Sequence, residues 1–222
     1  MKLELDKIID SIRVELESEE QAKEQLVEKA RLGIKACGDA IIHAHRNNIS
    51  KSISKLEEAS NLLQEINSLI EKQPEALNLS VIGDLYQEYV EAKLFIEFIE
   101  RRLYPHYNEL KVPGKYYALG LADLIGELRR YVLNAIRKDK LDEAEYALQV
   151  MEEIFDNIYS LESPKSLLNG LRRKCDIARS VLEKTRGDVT SAFSNSRLIK
   201  HVKTLFEKLS SIENKLDNSG GV

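Results

Sequence analysis

Two pairs of carboxylates in this 222-residue chain stand where charge is costly. On a helical wheel turning about 100° per residue and centred on Glu88, Leu85, Ala92, Ile96, Ile99 and Leu103 fall within about 80° on one side. Phe95 and Phe98 fall within about 80° on the other. Glu88 therefore lies in the middle of an apolar stripe, and Glu91, one turn on, lies within it too. Lys93, Glu97 and Glu100 take the opposite face, expected to be solvated. A lone carboxylate in apolar surroundings costs several kcal/mol unless a cation or hydrogen bonds compensate it, and residues at i, i+3 project side by side. Asp123 and Glu127, at i, i+4, repeat the theme beside Leu121, Leu124, Ile125 and Leu128, with Gly120 and Gly126 leaving room for a close neighbour. Oxygen donors with no histidine among them suit a hard cation, Mg²⁺ or Mn²⁺, and such an ion activates water and neutralises phosphate charge. The competing reading pairs these acids with arginines such as Arg129, Arg130 or Arg172, and periodicity alone leaves both open.

A basic stripe is the second clue. Arg31, Lys35, His45 and Arg46 share about 100° of arc, next to the apolar face of Val27, Ile34 and Ile41. Such a row is either a phosphate-binding edge or a solvated helix border. His43 and His45, two residues apart, point different ways, which argues against a metal pair, and His106 and His201 are expected in a loop and on the surface. Cys37 and Cys175 form no Cys-x-x-Cys motif and are expected as buried free thiols. No glycine-rich phosphate loop is present.

The elements that must position these residues are helices. Charged residues make up 32% of the chain and hydrophobic ones 43%, with ten glycines, four prolines and no tryptophan, the profile of a helix-rich protein. Helical periodicity predicts seven helices, over about 3–47, 51–72, 79–103, 116–138, 140–161, 164–186 and 193–216. Ser50 is expected to cap the second, Ser163-Pro164 to open the sixth and Gly187 to close it, and the glycine-rich tail after 216 to be disordered. The expected architecture is an all-α bundle of about seven helices, with residues 1–192 as the main helical domain and 193–222 as a C-terminal helix and tail. No stretch approaches the roughly 20 apolar residues of a membrane span, and the acidic start Met1–Asp6 lacks an apolar leader core. A cytoplasmic location is expected, with no membrane partner. The net charge of −4 requires any nucleic-acid surface to be a local patch. Glu91 stands where a ferritin-like carboxylate oxidase would carry the histidine of its Glu-x-x-His motif, which argues against that class.

The run Glu88-Tyr89-Val90-Glu91-Ala92, followed by Leu119-Gly120-Leu121-Ala122-Asp123-Leu124-Ile125-Gly126-Glu127-Leu128, resembles the translin family. It is most similar to the branch of translin-associated factor X, the catalytic partner. The likeness continues through Asn134-Ala135-Ile136, the helix from Leu141 to Tyr159, Leu171-Arg172-Arg173-Lys174 and Arg186-Gly187, covering roughly residues 20–190. The resemblance implies a translin-like helical fold, a closed shell-like homo-oligomer, an octamer by analogy, and RNA, with single-stranded DNA as a further ligand, on the inner face. It implies a metal-dependent endoribonuclease in which Glu88, Glu91, Asp123 and Glu127 hold Mg²⁺, or Mn²⁺, and cleave RNA. Arg31, Lys35, His45 and Arg46 would correspond to the inner basic face. The alternative is a non-catalytic RNA- or single-stranded-DNA-binding protein of the same family. Segment 193–222 has no recognised counterpart.

Overall fold

The computed structural model describes residues 5–71, 79–161 and 170–219. These form six helices: α1 (Leu5–His45), α2 (Ile49–Ile70), α3 (Ser80–Ile99), α4 (Gly114–Arg137), α5 (Leu141–Ser160) and α6 (Leu171–Ser219). No strand occurs among the described residues, so the all-α expectation holds. The chain divides into two compact units, Met1–Leu124 with Ile158–Cys175, and Ile125–Asn157 with Asp176–Val222.

Three helices end alike. Asn47, Arg101 and Asp139 take left-handed backbone angles, φ 58°, 57° and 56°. After each, an amide reaches back five residues to a carbonyl: Asn48 to His43, Arg102 to Glu97 and Lys140 to Ala135, at 2.9–3.0 Å. This is the Schellman closure, made here without glycine. α2 begins after Asn48, which makes no side-chain cap bond, rather than after the expected Ser50. Leu103, placed by the sequence pattern in the third helix, lies beyond its end and is 94% exposed.

In the first unit α1 packs on α2 and α3, and α2 on α3. The buried Ser52 hydroxyl donates to the Ala40 carbonyl at 2.7 Å, and Lys29 pairs with Glu65, fixing α2 against α1. Tyr86 donates to the Asn67 side chain, whose amide donates to the Lys111 carbonyl at 3.1 Å. The core is filled by Leu26, Leu63, Ile66, Ile82, Leu85 and Phe95, each under 2% exposed.

α3 departs from the expected amphipathic helix. Tyr86, Tyr89, Val90, Ala92, Leu94, Phe95, Ile96, Glu97 and Phe98 are all buried, and these positions encircle the axis. A helix buried all round belongs to the interior. Glu97, expected on a solvated face, is 5% exposed, held by Lys93 Nζ and Arg102 Nε at 2.5 Å each.

Missing side chains permit the tight contacts along α3. A Cβ on Gly83 would come within 2.7 Å of the Tyr116 ring, and one on Gly120 within 2.8 Å of the Gln87 carbonyl oxygen and of Val90. On the other flank, a Cβ on Gly33 of α1 would meet Leu85 at 2.7 Å. The contacts 83 with 116 and 87–90 with 120 advance together, so α3 and the first half of α4 run parallel. Gly126, also expected to admit a close neighbour, has nothing within 4 Å of its Cβ position.

The second unit is built on Leu128, Val132, Ala147, Met151, Leu182 and Val189. Arg129 donates to Thr185 Oγ1 and Asp188 at 2.8 Å each, and Tyr131 to Glu143 at 2.9 Å. Gly187 does not close a helix: the sixth and seventh expected helices are one, because Leu182, Thr185 and Val189 carry a buried stripe across it and a helical glycine costs only about 1 kcal/mol. The expected cap at Ser163-Pro164 and the residues after Ser219 lie outside the described residues.

Candidate functional site

The glycine contact places the acids. Gly120 meets α3 at Gln87 and Val90; Asp123 is one turn further along α4, and Glu91 one turn beyond Gln87 along α3. The parallel run thus brings the carboxylate-bearing turns of the two helices to the same level. Glu88 and Glu91 are half-buried. Their charge reaches across to α1: the buried Cys37 thiol is pushed well above the ordinary thiol range, first by burial, then by the carboxylates of Glu88 and Glu91. Cys37 on α1 therefore lies within electrostatic reach of Glu88 and Glu91 on α3, a neighbourhood that wheel geometry on α3 alone did not disclose.

Asp123 has a partner the sequence reading missed. Lys174, near the start of α6, places Nζ 2.5 Å from the Asp123 carboxylate and donates to both its oxygens. Both side chains are about one-third exposed or less. Of the arginines named as possible partners, Arg129 is engaged by Thr185 and Asp188, and Arg130 stands 3.8 Å from Glu127. Glu127 follows Asp123 by one turn on α4, in the second compact unit.

Among the described residues, no three His, Cys, Asp or Glu side chains are gathered closely enough to cage a metal ion. Mg²⁺ does not require a cage: it is usually held by one or two carboxylates, completing its shell with water and substrate phosphate oxygens. The half-buried Glu88–Glu91 pair fits that requirement in donor chemistry and spacing. The Lys174 ammonium already neutralises the Asp123 carboxylate, the ion pairing of the competing reading with a lysine in place of an arginine.

Of the basic stripe, Arg31, Lys35 and Arg46 are exposed, and no ion pair engages them among the described residues. His45 instead turns inward, its ring centroid 4.5 Å from that of the buried Phe95. His106 and His201 are exposed, the first in the α3–α4 loop and the second on α6. Both cysteines are buried and free, as expected. No helix among the described residues is long and apolar enough to cross a membrane.

The Cys37 environment has a measurable consequence. The folded chain keeps a proton that the unfolded chain releases above about pH 8.5, so stability falls as pH rises through and beyond that value, by up to about 1.4 kcal/mol per pH unit for the one group. Tyr86, pushed up to about 12 by burial and by Tyr116, adds loss of the same sign above about pH 10. Melting temperatures should decline from pH 8 to 10.5, while the native protein resists iodoacetamide at pH 8. Rapid labelling of Cys37 without unfolding would contradict this.

The family model described as the translin family matches residues 21–186. The uncharacterized protein MJ0175 of Methanocaldococcus jannaschii is 32% identical over 191 residues, covering 85% of this chain and 84% of its own. The solved structure of an AfC3PO–duplex RNA complex superposes with a TM-score of 0.78 at 30% identity, covering 86% of this chain and 98% of its own. The AfC3PO crystal structure gives 0.77, with the same identity and coverage.

Proposed function

This chain belongs to the translin family, and we propose that it is a homo-oligomeric RNA-binding protein that cleaves RNA with the help of a divalent metal. The observation that carries the reading is the level placement of the carboxylate-bearing turns of α3 and α4, on a fold shared with a protein solved bound to duplex RNA. Arg31, Lys35 and Arg46 are exposed cations free to meet phosphates. In an oligomer that turns this edge inward, they explain how an acidic chain binds a polyanion.

Glu88 and Glu91 would hold Mg²⁺ or Mn²⁺, with Asp123 supplying a carboxylate one helix away; Glu127 is the fourth ligand that the family resemblance implies. When bound, the ion would supply charge neutralisation at a phosphate and a more acidic water. The chain's own groups supply the setting. The half-buried position of the glutamates lowers the local dielectric and so strengthens their hold on a cation. Lys174 keeps the Asp123 carboxylate oriented, and a metal approaching Asp123 must compete with its ammonium. A phosphate nearby would offer that ammonium a second anion. Purified protein should therefore cleave RNA only with Mg²⁺ or Mn²⁺ present. Binding without cleavage in either metal would favour the non-catalytic reading, to which the Lys174–Asp123 pair also lends support.

The basic edge is tested separately. Arg31→Ala combined with Lys35→Ala should weaken RNA binding and reduce the slope of log K against log salt by about one to two, since each lost phosphate contact removes somewhat less than one released counterion. Unchanged affinity across a salt series would return these residues to the status of a solvated helix border.

A further inference from the structure

The family match covers residues 21–186, and outside it, at either end, the chain carries a helical arm with an uncovered apolar face. On the C-terminal arm of α6, Leu198, Val202, Leu205, Leu209 and Ile212 recur at intervals of four and three, flanked by Ile199 and Phe206; all are between 40% and 66% exposed. Four-three spacing sustained over two heptads is the seam of a coiled coil. On the N-terminal arm of α1, Leu5, Ile8, Ile9, Ile12 and Leu16 share one face and are 45–58% exposed. The two faces are about 21 Å and about 17 Å long at 1.5 Å per residue. No described residue covers either, and twelve large apolar side chains left in water are not the surface of a monomer.

Charge selects what covers them. Residues 193–212 carry Arg197, Lys200, Lys203 and Lys208 against Glu207 alone, a net +3. Residues 5–24 carry seven carboxylates against Lys7, Arg13 and Lys23, a net −4. By helical position Lys208 borders the α6 seam on one side and Lys203 lies just outside the flanking Ile199 and Phe206 on the other, while Glu15 and Glu20 border the α1 face on its two sides. Pairing two α6 arms would set +3 against +3, and two α1 arms −4 against −4. Only the mixed pair is both dry at its centre and complementary at its rim.

We propose that the C-terminal arm of one copy of this chain packs, seam on seam, against the N-terminal arm of a second copy. The contact joins different surfaces of the two copies, so it is made twice in a closed two-fold pair or once per step in a larger ring. It lies wholly outside the residues matched by the family, and links copies independently of the nucleic-acid site.

Because the native cysteines are buried, full-length Ile12→Cys and Leu205→Cys variants each carry one reactive thiol. Mixed at micromolar concentration and mildly oxidised, with a mass tag on one, they should give a mixed covalent dimer as the dominant product. Adding Lys203→Glu and Lys208→Glu to the Leu205→Cys chain should cut its yield at least fivefold. Adding Glu15→Lys and Glu20→Lys to the Ile12→Cys chain should restore it. All the altered side chains are exposed, and an unchanged helical circular-dichroism spectrum verifies that each variant is folded. Leu205→Cys linking chiefly to itself, absence of any cross-link, or a yield indifferent to charge reversal would each overturn the proposal.

Discussion

Glu91→Gln should lower metal-dependent RNA cleavage by about a hundredfold or more and leave the fold intact. The magnitude follows from the ligand's position: losing a group that merely orients a metal ligand already costs about 10–100-fold, so losing a ligand costs at least the upper end. Glutamine keeps the size and hydrogen-bonding capacity of the side chain and removes only charge. Melting separates the metal site from a purely structural ion pair, because neutralising one member of a buried pair strands the other and lowers the melting temperature by the equivalent of about 3–5 kcal/mol. Asp123→Asn should behave differently. It breaks the bond to Lys174, yet both partners reach solvent, so the stability change should stay within about 1 kcal/mol. Cleavage and melting measured on the same samples, across a Mg²⁺ titration, decide the matter. Full cleavage by Glu91→Gln would remove it from the metal site, and full cleavage by Asp123→Asn would leave that residue as the partner of Lys174 and nothing more.

The largest effect on stability belongs to Glu97. Its carboxylate is 6% exposed and is held by Lys93 and Arg102, whereas Arg102 is half exposed. Removing both cations with Lys93→Ala and Arg102→Ala strands a buried negative charge, which costs about 3–5 kcal/mol, or a fall of roughly 6–20 °C in melting temperature for a chain of this size. Adding Glu97→Leu should restore most of the loss, because replacing a buried ion pair by apolar packing is often neutral or favourable. A double variant that melts within a degree of the parent would show that water reaches Glu97 without the cations.

Glu97 also shows where sequence reasoning reaches its limit. A helical wheel assumes one dry face and one wet one, and on that assumption Glu97 belonged with Lys93 and Glu100 in water. α3 is enclosed on nearly every side, so its polar positions are buried as well, with the cations arriving from the same helix and from the turn after it. Asp123 was legible as an acid beside an apolar arc, but its partner Lys174 lies 51 residues away and only the tertiary fold brings the two together. Local signals served better where the physics was local. Asn47 ended α1 as a residue tolerant of left-handed geometry, and Gly120 announced a close neighbour. Gly187 misled because the apolar stripe running past it outweighs the helix-stopping tendency of one glycine. The acidic motifs on α3 and α4 carried the family resemblance, and the family assignment follows the same stretch of chain.

The contacts of α3 at Gly33, Gly83 and Gly120 act as three keyways. Leu85 sits over the first, Tyr116 over the second and Val90 over the third, so a shift of α3 by a single residue, about 1.5 Å along its axis, would drive side chain into backbone. The helix has no axial play. An ion seated by Glu88 and Glu91 would then be fitted by rotation about side-chain bonds rather than by movement of the backbone. If the proposed ion binds there, its seat would be rigid in location and compliant in radius, so that ions of somewhat different size would exchange within it.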